Sequence, residues 1–142
     1  MQDAELKQLL ENTKTIAVVG FSSQAHKPSF FVAKYLQSQG YRILPINPAL
    51  QGRPSGLMGE TCYPDLKTAI EQTGLKIDLV DVFRRAEHTP EVLAQAMNVG
   101  AGAVWLQQGI RNDMVEAKAK AAGLPFLMDR CLKTEHQRLY LV

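Results

Sequence analysis

The segment from Gly20 to Ser29 has the composition of an anion-binding turn. Gly20 permits a tight turn, three serine hydroxyls can donate hydrogen bonds, and Lys27 adds a positive charge. The helix predicted to follow would direct unpaired N–H groups and the positive end of its dipole at this turn. The predicted chemistry is phosphate binding, and the alternative is a polar surface turn with a serine cap. The candidate binding residues here are Gly20, Phe21, Ser22, Ser23, Gln24, Ala25, Lys27 and Ser29.

This turn matches neither of the two common phosphate-binding motifs. A GxGxxG pattern is absent, because Ser22 and Ala25 stand where the second and third glycines would be. The segment is not a Walker A loop either. The prediction therefore depends on the expected fold rather than on a motif.

A second group of candidates follows the second apolar run, at Asn47 and Pro48. An NAD site needs an acid roughly 20 residues beyond the glycine turn to hold the ribose hydroxyls. Asn47 carries no charge, which counts against NAD. Arg53 could face an extra phosphate on a ribose, and both NADP and coenzyme A carry one. The alternative is a solvated arginine in an irregular loop.

The third apolar run ends at Val82 and Phe83, followed by Arg84 and Arg85. Two adjacent arginines at a strand end can bind phosphates or shape a loop. Asp81 lies inside the same apolar run, so it needs a hydrogen-bond partner. We expect that partner to be a nearby arginine, in a structural ion pair.

The fourth apolar run ends in two amides and a glycine, Gln107, Gln108 and Gly109. Amides donate and accept hydrogen bonds without titrating, so they suit ligand binding better than acid–base chemistry. Trp105, in the run itself, is predicted to be a core residue. After the fifth run, Cys131 would lie beside Arg130 near a helix N-terminus, where it is either a reactive thiol or, the favoured interpretation, a buried and inert one.

The elements that must position these groups alternate between two hydrophobic periods. Continuous apolar runs, typical of strands buried on both faces, cover residues 15–20, 41–46, 77–83, 103–106 and 124–128. Helical patterns cover residues 3–12, 28–39, 64–72, 90–100, 112–123 and 131–138. Residues 49–60 are predicted to form a loop, and Pro45 is expected to disturb the second strand.

This alternation predicts an α/β fold of three layers, a Rossmann-like doubly wound parallel sheet of five strands. We expect the strand order 3-2-1-4-5, with the topological switch point between strands one and four. Ligands bind outside the carboxyl ends of the strands at such a point, which is where every candidate residue follows its strand.

Composition places the chain among ordinary globular proteins. Its 142 residues are 46% hydrophobic and 21% charged, which predicts one domain over residues 1–142 with residues 1–13 as a helix packed on it. The net charge of +2 gives no reason to expect nucleic acid binding. No apolar run reaches the length of a membrane span, and the N-terminus does not resemble a signal peptide, so we expect a cytoplasmic location. Two distant cysteines predict no disulfide framework, and their placement relative to the histidines predicts no metal site.

Five segments form an ordered pattern along the chain: Val18–Ser23 with Lys27–Ser29, Leu44–Pro48, Asp78–Arg85, Val104–Ile110 and Met128–Cys131. Together they resemble the small single-domain CoA-binding proteins of bacteria, the YccU-like group. These proteins are similar to the N-terminal CoA-binding domain of the succinyl-CoA synthetase alpha subunit. The resemblance covers the chain from about Thr15 to Leu139. One segment alone is a weak signal, whereas all five in this order are specific.

The resemblance implies a site for CoA or an acyl-CoA. Ser22–Ala25 match the phosphate-loop positions, Asn47–Pro48 the strand end beside the adenosine, and Val82–Phe83 the edge that contacts the adenine. Gln107–Gly109 match the stretch near the pantetheine arm, where the synthetase domain carries an acid and this chain has Gln108.

The function predicted from these residues is non-catalytic binding of CoA or acyl-CoA, as a carrier, sensor or regulatory module. The synthetase's phosphorylated histidine and its ATP-grasp unit belong to other domains, so we expect no catalytic residue here. One alternative is an NADP-dependent oxidoreductase-like domain, although no Tyr–Lys or His–Asp constellation supports it. Another is a regulatory subunit for an acyl-CoA-using partner enzyme. A minor alternative is a thiol-linked role for Cys131, such as a mixed disulfide with the CoA sulfur.

Overall fold

The computed structural model describes residues 1–140, which form a five-stranded parallel sheet with six α-helices. The predicted α/β Rossmann-like class is confirmed. The strands are β1 (Thr15–Val19), β2 (Arg42–Ile46), β3 (Leu79–Val82), β4 (Val104–Leu106) and β5 (Phe126–Leu127). The helices are α1 (Asp3–Asn12), α2 (Pro28–Ser38), α3 (Leu66–Thr73), α4 (Thr89–Asn98), α5 (Asp113–Ala121) and α6 (Leu132–Tyr140).

The strand order is β2-β1-β3-β4-β5, so the predicted order 3-2-1-4-5 is wrong in where it puts the third strand. Pro45 supplies the physical reason. It lies within β2, opposite Val18 of β1, and its carbonyl accepts a hydrogen bond from the Tyr63 N–H at 2.9 Å on the outer side. The N and O atoms of one strand residue point the same way, so the nitrogen that lacks a hydrogen also faces outward. Proline is tolerated on an edge strand for this reason, and β3 pairs with β1 instead.

The expected loss of regularity at Pro45 is also wrong. The parallel register of β2 with β1 continues through Pro45 to Ile46, which lies opposite Val19. Irregular structure begins after Ile46, where a short 3₁₀ turn covers Pro48–Leu50.

The sheet separates two apolar layers, which completes the predicted three-layer arrangement. Side chains alternate along β1, so Ala17 and Val19 face one layer while Ile16 and Val18 face the other. The first layer contains the buried faces of α3, α4 and α5, and the second contains those of α1, α2 and α6. Trp105 is fully buried in the second layer, as predicted.

The N-terminal helix and the last helix pack on the same side of the sheet. Leu6 and Leu10 of α1 are at most 1% exposed. Arg138 of α6 bonds Asp3 of α1 through both guanidinium ends, at 2.8 and 2.9 Å. Because this pair is exposed to solvent, the buried leucines contribute more to the packing than the charges do.

The strand order fixes where a ligand site can form. The chain leaves β1 toward β2, then crosses back to β3 and continues outward to β5. The switch point therefore lies between β1 and β3, rather than between strands one and four as predicted. Among the described residues, no helix is both long and apolar enough to span a bilayer.

Candidate functional site

A cleft with two lobes opens at the carboxyl edge of the sheet, on either side of the switch point. The β2-side lobe has a volume of about 710 Å³. Three predicted residues border this lobe and not the other, namely Gly20, Asn47 and Pro48. The β4-side lobe has a volume of about 750 Å³. Three predicted residues border this lobe and not the first, namely Gln107, Gln108 and Gly109. Phe83 and Arg84 border both lobes and form the ridge between them. Both volumes are in the range of small-molecule sites.

The turn after β1 is held against the end of β2 by its backbone. The N–H groups of Gly20 and Phe21 donate to the same carbonyl, that of Ile46, at 3.1 and 3.2 Å. Gly20 has a φ of +82°, and a Cβ atom there would overlap with the carbonyl of Phe83. Only glycine allows β1 and β3 to end this close together, and that approach forms the floor between the lobes.

The serines of this turn organise it and still have hydrogens to donate. Ser29 Oγ accepts from the Ser22 N–H at 2.9 Å, and Ser22 Oγ accepts from the Gln24 N–H at 3.2 Å. A hydroxyl that accepts one bond can donate its own hydrogen to another acceptor. The following helix α2 begins at Pro28, and the side chain of its N-cap residue, Lys27, makes no capping bond. The turn therefore combines hydroxyl donors, a helix N-terminus and an exposed ammonium group.

Among the predicted residues of the turn, only Gly20 borders a lobe. Ser23, Gln24, Ala25 and Lys27 are exposed along the outer side of the turn. The side chains of Phe21 and Val82 are fully buried in the two apolar layers, so only their backbone atoms can meet a ligand. Arg53 is exposed in the loop after β2 and borders neither lobe.

Asn47 connects the end of β2 to the turn after β1. Its Nδ2 donates to the Phe21 carbonyl at 2.8 Å, and its Oδ1 accepts from the Ala49 N–H at 2.9 Å. Both ends of the amide are thus used within the chain. The sequence has an amide rather than an acid at this position, which counts against NAD. Two acids nevertheless border the same lobe, namely Asp65 at the N-cap of α3 and Glu91 of α4. Asp65 Oδ1 accepts from the Thr68 N–H at 2.7 Å as the N-cap of α3.

Arg84 is the cation best placed to meet an anion in the cleft. It is half-buried on the ridge between the lobes, and no carboxylate of the described residues lies within 4.0 Å of it. Arg85 is more exposed and is 3.8 Å from Glu87. An arginine without an acidic partner can form charge-assisted hydrogen bonds with a phosphate.

The loop after β4 is fixed from below by an aspartate. Gly109 has a φ of +86°, and its N–H donates to Asp129 Oδ1 at 2.8 Å. Asp129 itself has a φ of +61°, a left-handed conformation that aspartate tolerates better than most residues. This contact joins the ends of β4 and β5 and leaves the Gln108 side chain exposed at the cleft wall.

The buried partner of Asp81 is an amide and not an arginine, so the predicted ion pair is wrong. Gln107 Nε2 donates to Asp81 Oδ1, and Gln107 Oε1 accepts from the Leu132 N–H at 3.3 Å. Asp81 is completely buried, and this burial raises the pKa of its carboxyl to about 7. A charged arginine is not needed, because burial itself favours the neutral acid.

Cys131 borders the β4-side lobe and is partly exposed, so the favoured interpretation of a buried thiol is wrong. Across the lobe, Phe31 of α2 is 42% exposed, with the ammonium of Lys133 at 5.4 Å from its ring centre. The border of the lobe thus includes an apolar ring and a thiol. Both cysteines of the chain are free.

The cleft also contains residues that the sequence did not reveal, most of them on helices. Phe31 and Ile110 border the β4-side lobe, while Asp65, Glu91 and Gln95 border the β2-side lobe. The available signal for Phe31 was the pair of adjacent phenylalanines, Phe30 and Phe31, at the start of α2. No cluster of three or more metal-ligating side chains occurs among the residues that the structure describes.

Comparison of the sequence with known families shows which family the chain belongs to. Residues 14–137 match the family model of the CoA binding domain. The chain belongs to this family. The match covers β1 to α6 and therefore every element that borders the cleft.

Three similar proteins align along most of the chain. It is 34% identical over 133 residues to the uncharacterized protein YneT of Bacillus subtilis, covering 94% of this chain and 93% of YneT. A solved structure from Thermus thermophilus, cell-free ID.343, is 40% identical, with a TM-score of 0.89 and coverage of 99% and 100% of the two chains. The dinucleotide-forming acetyl-coenzyme A synthetase 1 of Ca. Korarchaeum cryptofilum is 25% identical, with a TM-score of 0.64. That alignment covers 84% of this chain and 26% of the synthetase.

Proposed function

We propose that the protein binds CoA or an acyl-CoA across the two lobes of the cleft and catalyses no reaction by itself. In this proposal it is a carrier, a sensor or a regulatory module, and the YccU-like group is its subfamily. The observation that carries the proposal is the family match over residues 14–137, which includes the whole cleft border.

The chemistry of the cleft is consistent with a ligand that is charged in the middle and apolar at one end. Arg84 contributes positive charge on the ridge between the lobes, and the start of α2, which follows the serine-rich turn, borders the β4-side lobe at Pro28. The β4-side lobe offers Phe31 and Ile110 as apolar walls and two glutamines as hydrogen-bonding groups. A diphosphate near the ridge and a pantetheine arm in the β4-side lobe would use both features.

The similarity to a synthetase supports a role for this fold as one module of CoA-dependent chemistry. The dinucleotide-forming acetyl-coenzyme A synthetase 1 is a protein of which this chain covers about a quarter. We propose that any catalytic step would need a protein partner, and that the protein functions in the cytoplasm without nucleic acid or membrane.

Calorimetric titration with CoA, acetyl-CoA, NAD, NADP and ATP tests the proposal. We expect CoA to bind in the micromolar range or tighter, and the nicotinamide cofactors to bind much more weakly. A signal with NADP and none with CoA would replace the proposal with an oxidoreductase-like function. Absence of binding by all five ligands would overturn the proposal for the isolated chain.

A further inference from the structure

Asp81 holds the one buried side-chain oxygen of residues 1–140 that has no hydrogen-bond partner. Its Oδ2 atom has no hydrogen-bond partner, whereas every other buried side-chain nitrogen or oxygen of these residues has one. An unpaired buried oxygen destabilises the folded state, so its retention needs a reason beyond packing.

The register of the sheet shows where this carboxyl points. Asp81 of β3 lies opposite Trp105 of β4, and Gln107 lies two residues further on, on the same face of the sheet. The bond from Gln107 Nε2 to Asp81 Oδ1 therefore runs diagonally toward the carboxyl edge, where the cleft opens. Asp81 is thus directly beneath the wall of the β4-side lobe.

Gln107 connects this carboxyl to the cleft. It is only 4% exposed, yet it borders the β4-side lobe. Its Oε1 is used by the Leu132 N–H, and one of its two Nε2 hydrogens is used by Asp81. One Nε2 hydrogen and the second lone pair of Oε1 remain without a partner within the described chain, and the Nε2 hydrogen is the only donor among them.

We propose that Asp81 is a positioning residue for the ligand: it fixes the amide of Gln107 so that the remaining Nε2 hydrogen is offered to an acceptor in the β4-side lobe. This inference rests on the proposed function, because the acceptor would be an amide or thioester carbonyl of the pantetheine arm of CoA. If the amide were turned over, Oε1 would face Asp81 and the Leu132 N–H would lose its acceptor. The Leu132 N–H therefore selects one orientation of Gln107 out of two, and the bond from Nε2 to Asp81 holds the amide in it.

The test separates the arm of the ligand from its nucleotide. Affinities for CoA and for adenosine 3′,5′-bisphosphate, which lacks the arm, are measured on the full chain for Gln107→Leu, Asp81→Leu and the double variant. We expect each single variant to bind CoA about three- to tenfold more weakly, the value of one hydrogen bond, with no change for the bisphosphate. Because Asp81 acts through Gln107, the double variant should lose no more than Gln107→Leu alone.

Two further variants keep the test decisive. Asp81→Asn retains an acceptor oxygen and should recover most of the affinity lost in Asp81→Leu. Asp81→Ser, whose hydroxyl is too short for the diagonal bond, replaces Asp81→Leu if that variant does not fold. Equal losses for both ligands, or additive losses in the double variant, would show that Asp81 only supports the fold and would overturn the inference. A wild-type protein that binds the bisphosphate but gains nothing from the arm would overturn it too, whereas failure to bind either ligand would overturn the proposed function first.

Discussion

The carbonyl group of Phe83 occupies the space that a side chain at Gly20 would need. A Cβ atom built on Gly20 would lie 2.9 Å from the Phe83 carbonyl carbon and closer still to its oxygen. The contact joins the end of β1 to the end of β3 across the switch point, while the Phe83 N–H donates to the Val19 carbonyl at 2.8 Å. The glycine is therefore a condition for the cleft as well as a turn residue.

Replacing Gly20 with alanine should destabilise the protein by about 2–4 kcal/mol. The left-handed φ of +82° accounts for about 1 kcal/mol of this, and displacement of the β3 backbone accounts for the rest. Gly123→Ala is the matched control, because Gly123 has a φ of +71° but no atom within 4 Å of its Cβ position. Urea denaturation measures both. Equal losses for the two variants would show that the backbone conformation alone matters.

Arg84→Gln should weaken CoA binding at least tenfold and reduce its dependence on salt. The guanidinium lies on the ridge between the lobes without an acidic partner among the described residues, so a ligand phosphate is its natural partner. Calorimetry at two salt concentrations measures the effect. The same charge is removed in Arg53→Gln, outside both lobes, where we expect a change of less than about twofold. A larger loss of CoA affinity in Arg53→Gln than in Arg84→Gln would contradict this prediction and would indicate that the phosphate contacts the loop after β2.

The sequence carried enough information for the fold class and for part of the strand order. Continuous apolar runs identified all five strands, because strands buried on both faces have no polar side to alternate with. Pro45 carried the signal for the edge position of β2, since its missing N–H is harmless only when it faces outward. Pro45 excludes β2 as the neighbour of β3, but the sequence does not reveal that β3 pairs with β1, because pairing of distant strands is decided by packing and not by local pattern.

The candidate site divides in the same way. Residues at strand ends were predictable, because parallel strands bring their carboxyl ends to one edge. The direction of each side chain was not predictable. Phe21 points into the core, although its neighbour Ser22 is partly exposed in the turn. The partner of Asp81 was also hidden, because an amide 26 positions away meets it only after the sheet has formed. Arg53 was a candidate because it lies near Asn47 in the sequence, yet it borders neither lobe.

Stability should fall as the pH rises from about 4 to about 7 because of Asp81. Burial raises the pKa of its carboxyl from 3.8 to about 7, so over this interval the unfolded chain releases a proton that the folded chain keeps. The stabilising contribution is complete below pH 4 and is lost by about pH 7, by up to about 4 kcal/mol. Asp81→Asn removes this titration. The free energy of unfolding of the variant relative to wild type should therefore increase with pH up to about 7, and a constant difference would contradict the assignment.

His136 should give a pH effect of the opposite sign below pH 6.5. Its ring is 5% exposed, stacks on Tyr140 at 4.6 Å between ring centres and lies 2.7 Å from the Tyr35 hydroxyl through Nδ1. Burial lowers the pKa of this imidazole, so the unfolded chain binds a proton first as the pH falls, and stability is lost. His136→Phe keeps the ring stack and should abolish this loss. Denaturation at pH 8, where the imidazole is neutral in both states, provides the reference, and an unchanged slope below pH 6.5 in His136→Phe would contradict the prediction.

Cys131 should react with iodoacetamide faster than Cys62, and acetyl-CoA should slow only the faster reaction. Cys131 is partly exposed in the β4-side lobe, whereas Cys62 is 2% exposed and burial raises the pKa of its thiol. Acetyl-CoA is the appropriate ligand because its own sulfur is blocked. Mass spectrometry measures both rates in the native protein, and adenosine 3′,5′-bisphosphate, which lacks the pantetheine arm, serves as the control.

The outcomes of the protection experiment locate the ligand. Protection by the bisphosphate as well would place the nucleotide in the β4-side lobe, and protection by neither ligand would mean that the pantetheine arm lies elsewhere. A Cys131→Ser variant with unchanged CoA affinity would then identify the thiol as a bystander that reports on the lobe, whereas a loss of affinity would give it a part in holding the ligand.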